Sequence, residues 1–387
     1  MRACGERIIF VPFIDAFGGV ERLVLGLSRH LHARGVKHAV LCFRQTVDLA
    51  AYADWPLTVR EIRARRSPIA EGWALRRSLR GAYACGSGPA LVFDLKGAFY
   101  AGLFTSSPFF LHLTDPPSLL PLDVSKRAPS VRKVFLPQPE ANGTGVLEKI
   151  HGELVHRINL RGARRAETVL AMTDTIAAEL RALYGVAPQV IRPGVRAAAA
   201  SDAKGEGGQQ RFRMLSVSRL ESSKRVDWIL RALASLESSG AFLSRHVDWA
   251  LDVVGEGPQR KSLESLAEEL GLSGRTFFRG MVRDEELEEL YSGAGLFLMP
   301  AVQGYGLPAL ESLARSVPVI LSSESGVAEI LHRTPWAETI DDVEGLANAI
   351  IALIRRVRLN ELQPHTMPQF PTESDWAQRI SEVCGWL

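Results

Sequence analysis

Apolar residues along this chain fall into short runs that alternate with stretches of helical spacing. The first run, 7–13, ends at a loop carrying Gly18 and Gly19. Apolar positions then follow at Val20, Leu23, Val24, Leu27 and Leu31, the spacing of one helix face. Strand-like runs recur at 38–43, 91–94, 109–113, 168–172 and 189–192, with helical patterns between them. The second half repeats the scheme. Strands are predicted at 213–217, 249–254, 275–279, 294–299 and 317–321, and helices at 226–236, 258–270, 284–291 and from about Leu307. Such alternation predicts parallel βαβ units, hence an α/β protein made of two Rossmann-like, doubly wound domains. Segment 197–210, rich in Ala, Gly, Ser and charge, reads as a flexible linker. The expected domains are residues 1–196 and 211–372. A Pro-containing extended tail, 361–371, leads to a last helix, 373–387, which carries Trp376 and Trp386. Ligands of doubly wound sheets bind beyond the carboxyl ends of the strands, so a site is expected in the cleft between the domains.

Composition narrows the class. At 46% hydrophobic and 23% charged residues, the 387-residue chain has the balance of a soluble protein with full cores, not of a disordered one. Cys4, Cys42, Cys85 and Cys384 are scattered and form no C-x-x-C pair, so neither a disulfide framework nor a zinc site is indicated, and a reducing compartment fits. The opening residues have a short apolar core broken by Pro12 and Asp15 and read as a buried strand, not a signal peptide. The uncharged runs 97–114 and 291–310 are interrupted by Ser, Pro or Gly and do not read as membrane spans. Net charge of +3 conceals an asymmetry: residues 1–195 hold 26 Lys and Arg against 16 Asp and Glu, and residues 196–387 hold 20 against 27. The two halves therefore suit different partners.

Chemistry concentrates after the second-half strands. The segment from Met299 to Glu311 runs from a strand through Gln303, Gly304, Tyr305, Gly306 and Leu307 into a helix with Pro308 near its start. Glycines there let backbone N–H groups approach a ligand, and a helix N-terminus favours phosphate. Glu311, one turn in, offers a carboxylate to hydroxyl donors. Arg219 and Lys224 lie five residues apart after the first strand of this half. Gly255 to Pro258 follow the next strand, and Phe278 to Val282, centred on Met281, the one after. Over residues 211–332 these four segments, taken in chain order as 219–224, 255–258, 278–282 and 299–311, resemble the GT-B glycosyltransferases of family 4.

In the first half, Gly18–Gly19 is similar to that family's glycine-rich loop, and Pro193–Val195 to the segment that closes the first domain. Departures stand beside the likeness. The family's first signature glutamate is Gln303 here, the glycine after the lysine is Arg225, and the Asp after Val195 is Arg196. The mid-domain histidine of the family has two registers: it is His112, or Thr114 replaces it with Asp115 as the polar neighbour.

The resemblance implies a retaining hexosyltransferase that moves sugar from a UDP- or GDP-linked donor to a glycan or lipid-linked acceptor, in bacterial surface polysaccharide assembly. It implies that the last helix, 373–387, packs back on the first domain, with Trp376 and Trp386 available for that contact or for plain packing. It also implies that Arg219 and Lys224 grip the donor diphosphate and that Glu311 binds the ribose. Gln303 and Gly304–Gly306 would meet the donor sugar, and Gly18, Gly19, Gly255, Met281, Tyr305 and Leu307 would line the donor. His112 or Asp115 would face the reacting centre. No Asp-x-Asp motif stands where a metal would be needed, so no cofactor beyond the donor is expected, and no nucleic acid partner. Two other readings of the same fold are a non-catalytic subunit that binds nucleotide sugar or glycan, and a nucleotide-sugar epimerase.

Seven arginines between 60 and 80, with Trp73, Leu75 and Leu79 interleaved, form a basic helical segment, and Lys126, Arg127, Arg132 and Lys133 add charge to a Pro-rich loop at 116–144. They suit a cytoplasmic protein at the inner face of an anionic membrane, an anionic polysaccharide, or simply a solvated face.

Overall fold

The computed structural model of the chain describes residues 5–119, 146–196, 211–239 and 247–387. The linker 197–210, and the basic loop past residue 119 with Lys126, Arg127, Arg132 and Lys133, lie outside the described residues. The chain divides into two compact units: Met1–Gly194 with Pro371–Leu387, and Val195–Phe370.

The first unit contains strands β1 (Arg7–Phe10), β2 (Phe13–Ile14), β3 (His38–Cys42), β4 (Arg44–Gln45), β5 (Val59–Glu61), β6 (Ala90–Phe93), β7 (Phe109–Leu113), β8 (Val169–Ala171) and β9 (Gln189–Val190). Seven of them form a parallel sheet in the order β5-β3-β1-β6-β7-β8-β9, while β2 pairs with β4. Strands β6 and β7 are buried along their whole length. That is the condition of parallel strands covered on both faces, and it explains why they read as continuous apolar runs. The helices so far are α1 (Gly19–Ala33), α2 (Pro68–Ala84), α3 (Asp94–Phe104), α4 (Val146–Arg165) and α5 (Asp174–Tyr184). The helical spacing around Leu23, Val24, Leu27 and Leu31 becomes the buried face of α1. Edge strand β5 has only three residues, too few for a pattern to reveal.

The second unit contains β10 (Phe212–Val217), β11 (Trp249–Val254), β12 (Thr276–Gly280), β13 (Leu296–Met299), β14 (Val319–Ser322) and β15 (Ala337–Ile340). Its helices are α6 (Val226–Ser238), α7 (Arg260–Glu269), α8 (Asp284–Gly293), α9 (Leu307–Leu313), α10 (Ala328–Leu331) and α11 (Val343–Arg358). The parallel order is β12-β11-β10-β13-β14-β15. Trp249, Ile229, Leu233, Leu298, Ile320 and Ile350 belong to one buried cluster between this sheet and its helices.

Helix α12 (Glu373–Val383) returns to the first unit and packs on α1. Arg29 pairs with Glu373 at 2.5 Å, and a Cβ at Gly26 would lie 2.8 Å from the Glu373 side chain. Trp376 and Trp386 are both buried there.

Candidate functional site

Strand order in the second unit reverses at β10: the chain builds β11 and β12 on one side of it, then β13 to β15 on the other. Loops leaving the carboxyl ends of β10 and β13 diverge at such a switch point and leave a crevice between them. Arg219 and Lys224 stand on the first of these loops, Gln303 on the second. Lys224 Nζ donates to Gln303 Oε1 at 3.0 Å. The other end of the amide is also held, because Gln303 Nε2 donates to Met299 Sδ at 2.9 Å and Ser325 Oγ at 3.3 Å. Arg219 remains exposed and pairs with Glu221 at 3.1 Å, a contact that solvent weakens.

Two glycines shape the crevice. Gly255 has φ of +128°, and a Cβ there would fall 1.9 Å from the Ser218 carbonyl oxygen, so the turn after β11 can press against the Arg219 loop only without a side chain. The same loop is fastened by N–H donation from Ser218 to Val254 O and from Leu220 to Glu256 O. Gly306, with φ of +120°, precedes α9 and sits against Gln303, where a Cβ would lie 2.8 Å from Nε2. Gly304 is buried in the same turn, and the side chains of Tyr305 and Leu307 point into the core, which leaves their backbone as what they can offer a ligand.

Glu311 lies on α9, and its Oε2 accepts the hydroxyl of the buried Tyr291 from α8 at 2.9 Å. Arg315 stacks 5.0 Å from the centre of the same tyrosine ring and pairs with Glu288, whose carboxyl it holds below the usual range. Met281, directly after Gly280 at the end of β12, is exposed.

In the first unit the corresponding reversal lies between β1 and β6. Gly18 and Gly19 follow β1, but neither has a left-handed backbone, and the Gly18 N–H is already bound to Glu21 Oε2 at 3.0 Å. Expectations for His112 need correction. It is completely buried in β7, packed against Phe93 and Trp376, and neither ring nitrogen has a hydrogen-bond partner among the described residues. Burial pushes its pKa down to about 3, so the ring is a neutral core group with no access to a ligand. Asp115 is exposed just beyond β7, and Thr114 beside it is buried.

Sequence reasoning passed over Asp94. It begins α3 with a left-handed φ of +60°, and its Oδ1 accepts both the N–H and the hydroxyl of Thr114. Burial, then the nearby Asp115, raise its pKa to about 7 despite those bonds. Its place directly after the apolar strand β6 was the available signal.

Two parallel sheets, each with its polar loops at the carboxyl-end switch point, define the GT-B class of glycosyltransferase fold. Residues 18–194 match the glycosyl transferase 4-like domain and residues 200–362 match glycosyl transferases group 1. The chain belongs to this group 1, family-4-like set of glycosyltransferases. An uncharacterized glycosyltransferase of Methanocaldococcus jannaschii is 34% identical over 119 residues, 30% of this chain and 29% of that protein. A Mycobacterium tuberculosis GDP-mannose-dependent α-(1-6)-phosphatidylinositol monomannoside mannosyltransferase is 31% identical over 156 residues, 38% of this chain and 39% of that protein. The chain thus matches less than half the length of these curated relatives. In overall fold it is similar to Anabaena HepE in complex with UDP and glucose, with a TM-score of 0.72, 16% identity, and coverage of 99% of this chain and 100% of that one.

Proposed function

We propose that this chain is a retaining glycosyltransferase moving a hexose from a UDP- or GDP-linked donor to a glycan or lipid-linked glycan, in bacterial surface polysaccharide assembly. The observation that carries the reading is the Lys224–Gln303 contact across the switch-point crevice, with Arg219 on the same loop as Lys224. Fixed cations there stabilise a departing diphosphate without reorganisation at the moment of bond cleavage. Arg219 and Lys224 take that part, in place of a divalent metal. Glu311, steadied by Tyr291, accepts the ribose hydroxyls, and backbone around Met281 meets the base. Gln303 and the 304–306 turn hold the sugar.

The anomeric C–O bond to phosphate breaks as the acceptor oxygen bonds to the same face of the sugar. The acceptor's proton passes to the departing phosphate oxygen. No side chain of this unit is then needed as a base. The GDP-mannose named for the mycobacterial relative and the UDP and glucose named for HepE support a nucleotide-sugar donor and leave either base open.

Ile69, Trp73, Arg77 and Arg80 are exposed at helical spacing along α2, and Arg76 stacks 5.1 Å over Trp73. An apolar-and-basic stripe of this kind supports a cytoplasmic protein meeting the anionic inner membrane face, where a lipid-linked acceptor would lie. No helix among the described residues is long and apolar enough to cross a membrane.

The test is to incubate the purified protein with a panel of UDP- and GDP-sugars, with and without glycan and lipid-linked glycan acceptors, and to measure released nucleotide, glycosylated acceptor and protection against unfolding. Acceptor-dependent release with matching glycosylated product establishes a transferase. Protection with no release from any donor and acceptor pair selects a non-catalytic subunit, and interconversion of sugar nucleotides without release selects an epimerase.

A further inference from the structure

Between Lys224 and helix α6 stands Arg225, where the resembling family carries glycine. Its backbone is left-handed, φ +51° and ψ 38°, a region that non-glycine residues occupy at a cost. The side chain accounts for its presence. The buried guanidinium pairs through Nη2 with Glu324, while Nη1 donates to Ser322 Oγ at 3.3 Å and to the Pro300 carbonyl at 3.5 Å. Its Cζ lies over the Trp228 ring, 4.3 Å from the ring centre.

Those partners belong to the two segments that hold Gln303. Pro300 begins the loop carrying Gln303. Glu324 accepts the Gln303 N–H through its own carbonyl at 3.4 Å, and its neighbour Ser325 accepts from the Gln303 amide. Val302 N–H donates to the Ser223 carbonyl at 2.8 Å, one residue before Lys224. One buried cation therefore ties the loop of Lys224 to both loops around Gln303. A buried ion pair adds little net stability over an apolar substitute, because desolvation offsets the attraction. Its value here is geometric.

We propose that the Arg225–Glu324 pair is a positioning device that sets the Lys224 ammonium and the Gln303 amide at the spacing a nucleotide-sugar diphosphate requires. Neither residue touches the donor. They act through their neighbours in the chain. The inference rests on the donor-site reading above.

Four proteins test it: wild type, Arg225→Gly, Glu324→Gln, and the double variant. Arg225→Gly relaxes the backbone but leaves Glu324 without its cation, and Glu324→Gln does the reverse, so both singles melt at lower temperature. The double variant, with no uncompensated charge, regains most of the lost Tm. A brace for stability alone would regain everything else with it. A positioning pair would not. In the double variant, titrations with UDP and GDP should then show affinity for the preferred nucleotide weakened about tenfold, the scale expected when a binding group is misplaced. Acetylation of Lys224 by acetic anhydride, read by mass spectrometry against Lys96 and Lys261, should be several-fold faster than in wild type. A double variant with wild-type Lys224 acetylation overturns the proposal, whatever its nucleotide affinity. Wild type that binds neither UDP nor GDP overturns the donor-site reading instead, while the acetylation rates still decide whether the pair positions Lys224.

Discussion

Lys224 and Gln303 are 79 residues apart in sequence and meet at 3.0 Å, ammonium against amide oxygen. An amide can accept from the lysine and still donate, as it does to Met299 and Ser325, whereas a carboxylate could only accept. The substitution of amide for the family's glutamate thus keeps the lysine placed without neutralising its charge. An amide at 303 therefore leaves the Lys224 charge unneutralised at this contact.

From this follows the effect of Lys224→Ala. If Lys224 faces the leaving diphosphate as proposed, removing that fixed charge lowers turnover by about 3 kcal/mol in transition-state free energy, roughly a hundredfold. Turnover measured with the preferred nucleotide sugar, on protein with native circular dichroism, checks it. A folded variant with unchanged turnover removes Lys224 from the mechanism.

Gln303→Glu creates an ion pair at the same contact and takes away the amide's donors. On the proposed donor-site reading the ranking of donor sugars should change, because residue 303 has changed its charge and its hydrogen-bonding sense. Affinity for the free nucleotide should hold nearly constant. Competition among donors, run beside nucleotide titrations, separates the two. A wild type without transferase activity and a Gln303→Glu variant that gains it would establish the natural protein as a binding subunit.

Tyr291 governs Glu311 through its hydroxyl. Tyr291→Phe deletes a hydrogen bond to a charged group, worth about 1.5–3 kcal/mol, and frees the carboxylate from its set direction. UDP or GDP should bind several-fold more weakly. Their 2′,3′-dideoxy analogues should bind wild type and variant alike, since Glu311 then has no ribose hydroxyl to meet. Equal losses for both kinds of nucleotide would assign Tyr291 to packing.

His112 makes stability depend on pH in a defined direction. Its folded pKa, about 3, lies below the ordinary 6.5, so between those values the unfolded chain binds the proton first. The contribution is complete above pH 6.5 and is lost as pH falls toward 3, by up to about 1.4 kcal/mol per unit. Asp94 works oppositely. With a folded pKa of about 7 against 3.8, it holds a proton the unfolded chain has released, so its effect lowers stability as pH rises through that window. Urea unfolding of wild type and His112→Leu at pH 4.5, 5.5 and 6.5 should give stabilities that diverge with pH, wild type gaining relative to the variant. Parallel trends would mean that His112 takes up a proton in the folded state.

Partition onto vesicles tests the stripe on α2. Binding to anionic vesicles should exceed binding to neutral ones and fall with salt, since screening acts over about 8–10 Å near physiological strength. Arg77→Gln and Arg80→Gln should each remove about 1 kcal/mol of that affinity. Equal partition onto both vesicle types, or none, would make the stripe a solvated face.

Much of this architecture is legible in the sequence because parallel strands and their helices leave strong local patterns. The run 249–254 is β11 to the residue, and the loops bearing Arg219, Lys224 and Gln303 follow strands that the pattern had already set. His112 shows where such reading stops. A strand covered on both faces has no polar side, so periodicity could not tell a buried histidine from one at the strand's end. The Tyr291–Glu311 bond and the Arg225–Glu324 pair span 20 and 99 residues and carry no local signal at all. Asp94 hid because a single acidic residue at a helix start also serves as ordinary helix-end chemistry.

Helix α12 gives the first unit a peculiar birth. Its sheet is translated first, yet Trp376, which packs on His112 in β7, emerges only after all of Val195–Phe370 has been made. At ordinary elongation rates that interval is roughly 10–35 s. Through it the nascent first unit must keep an apolar seat uncovered on α1 and β7 while a second unit folds beside it on the same ribosome. Until the last helix arrives, that uncovered apolar seat is surface of the kind that draws incompletely folded chains into association with one another.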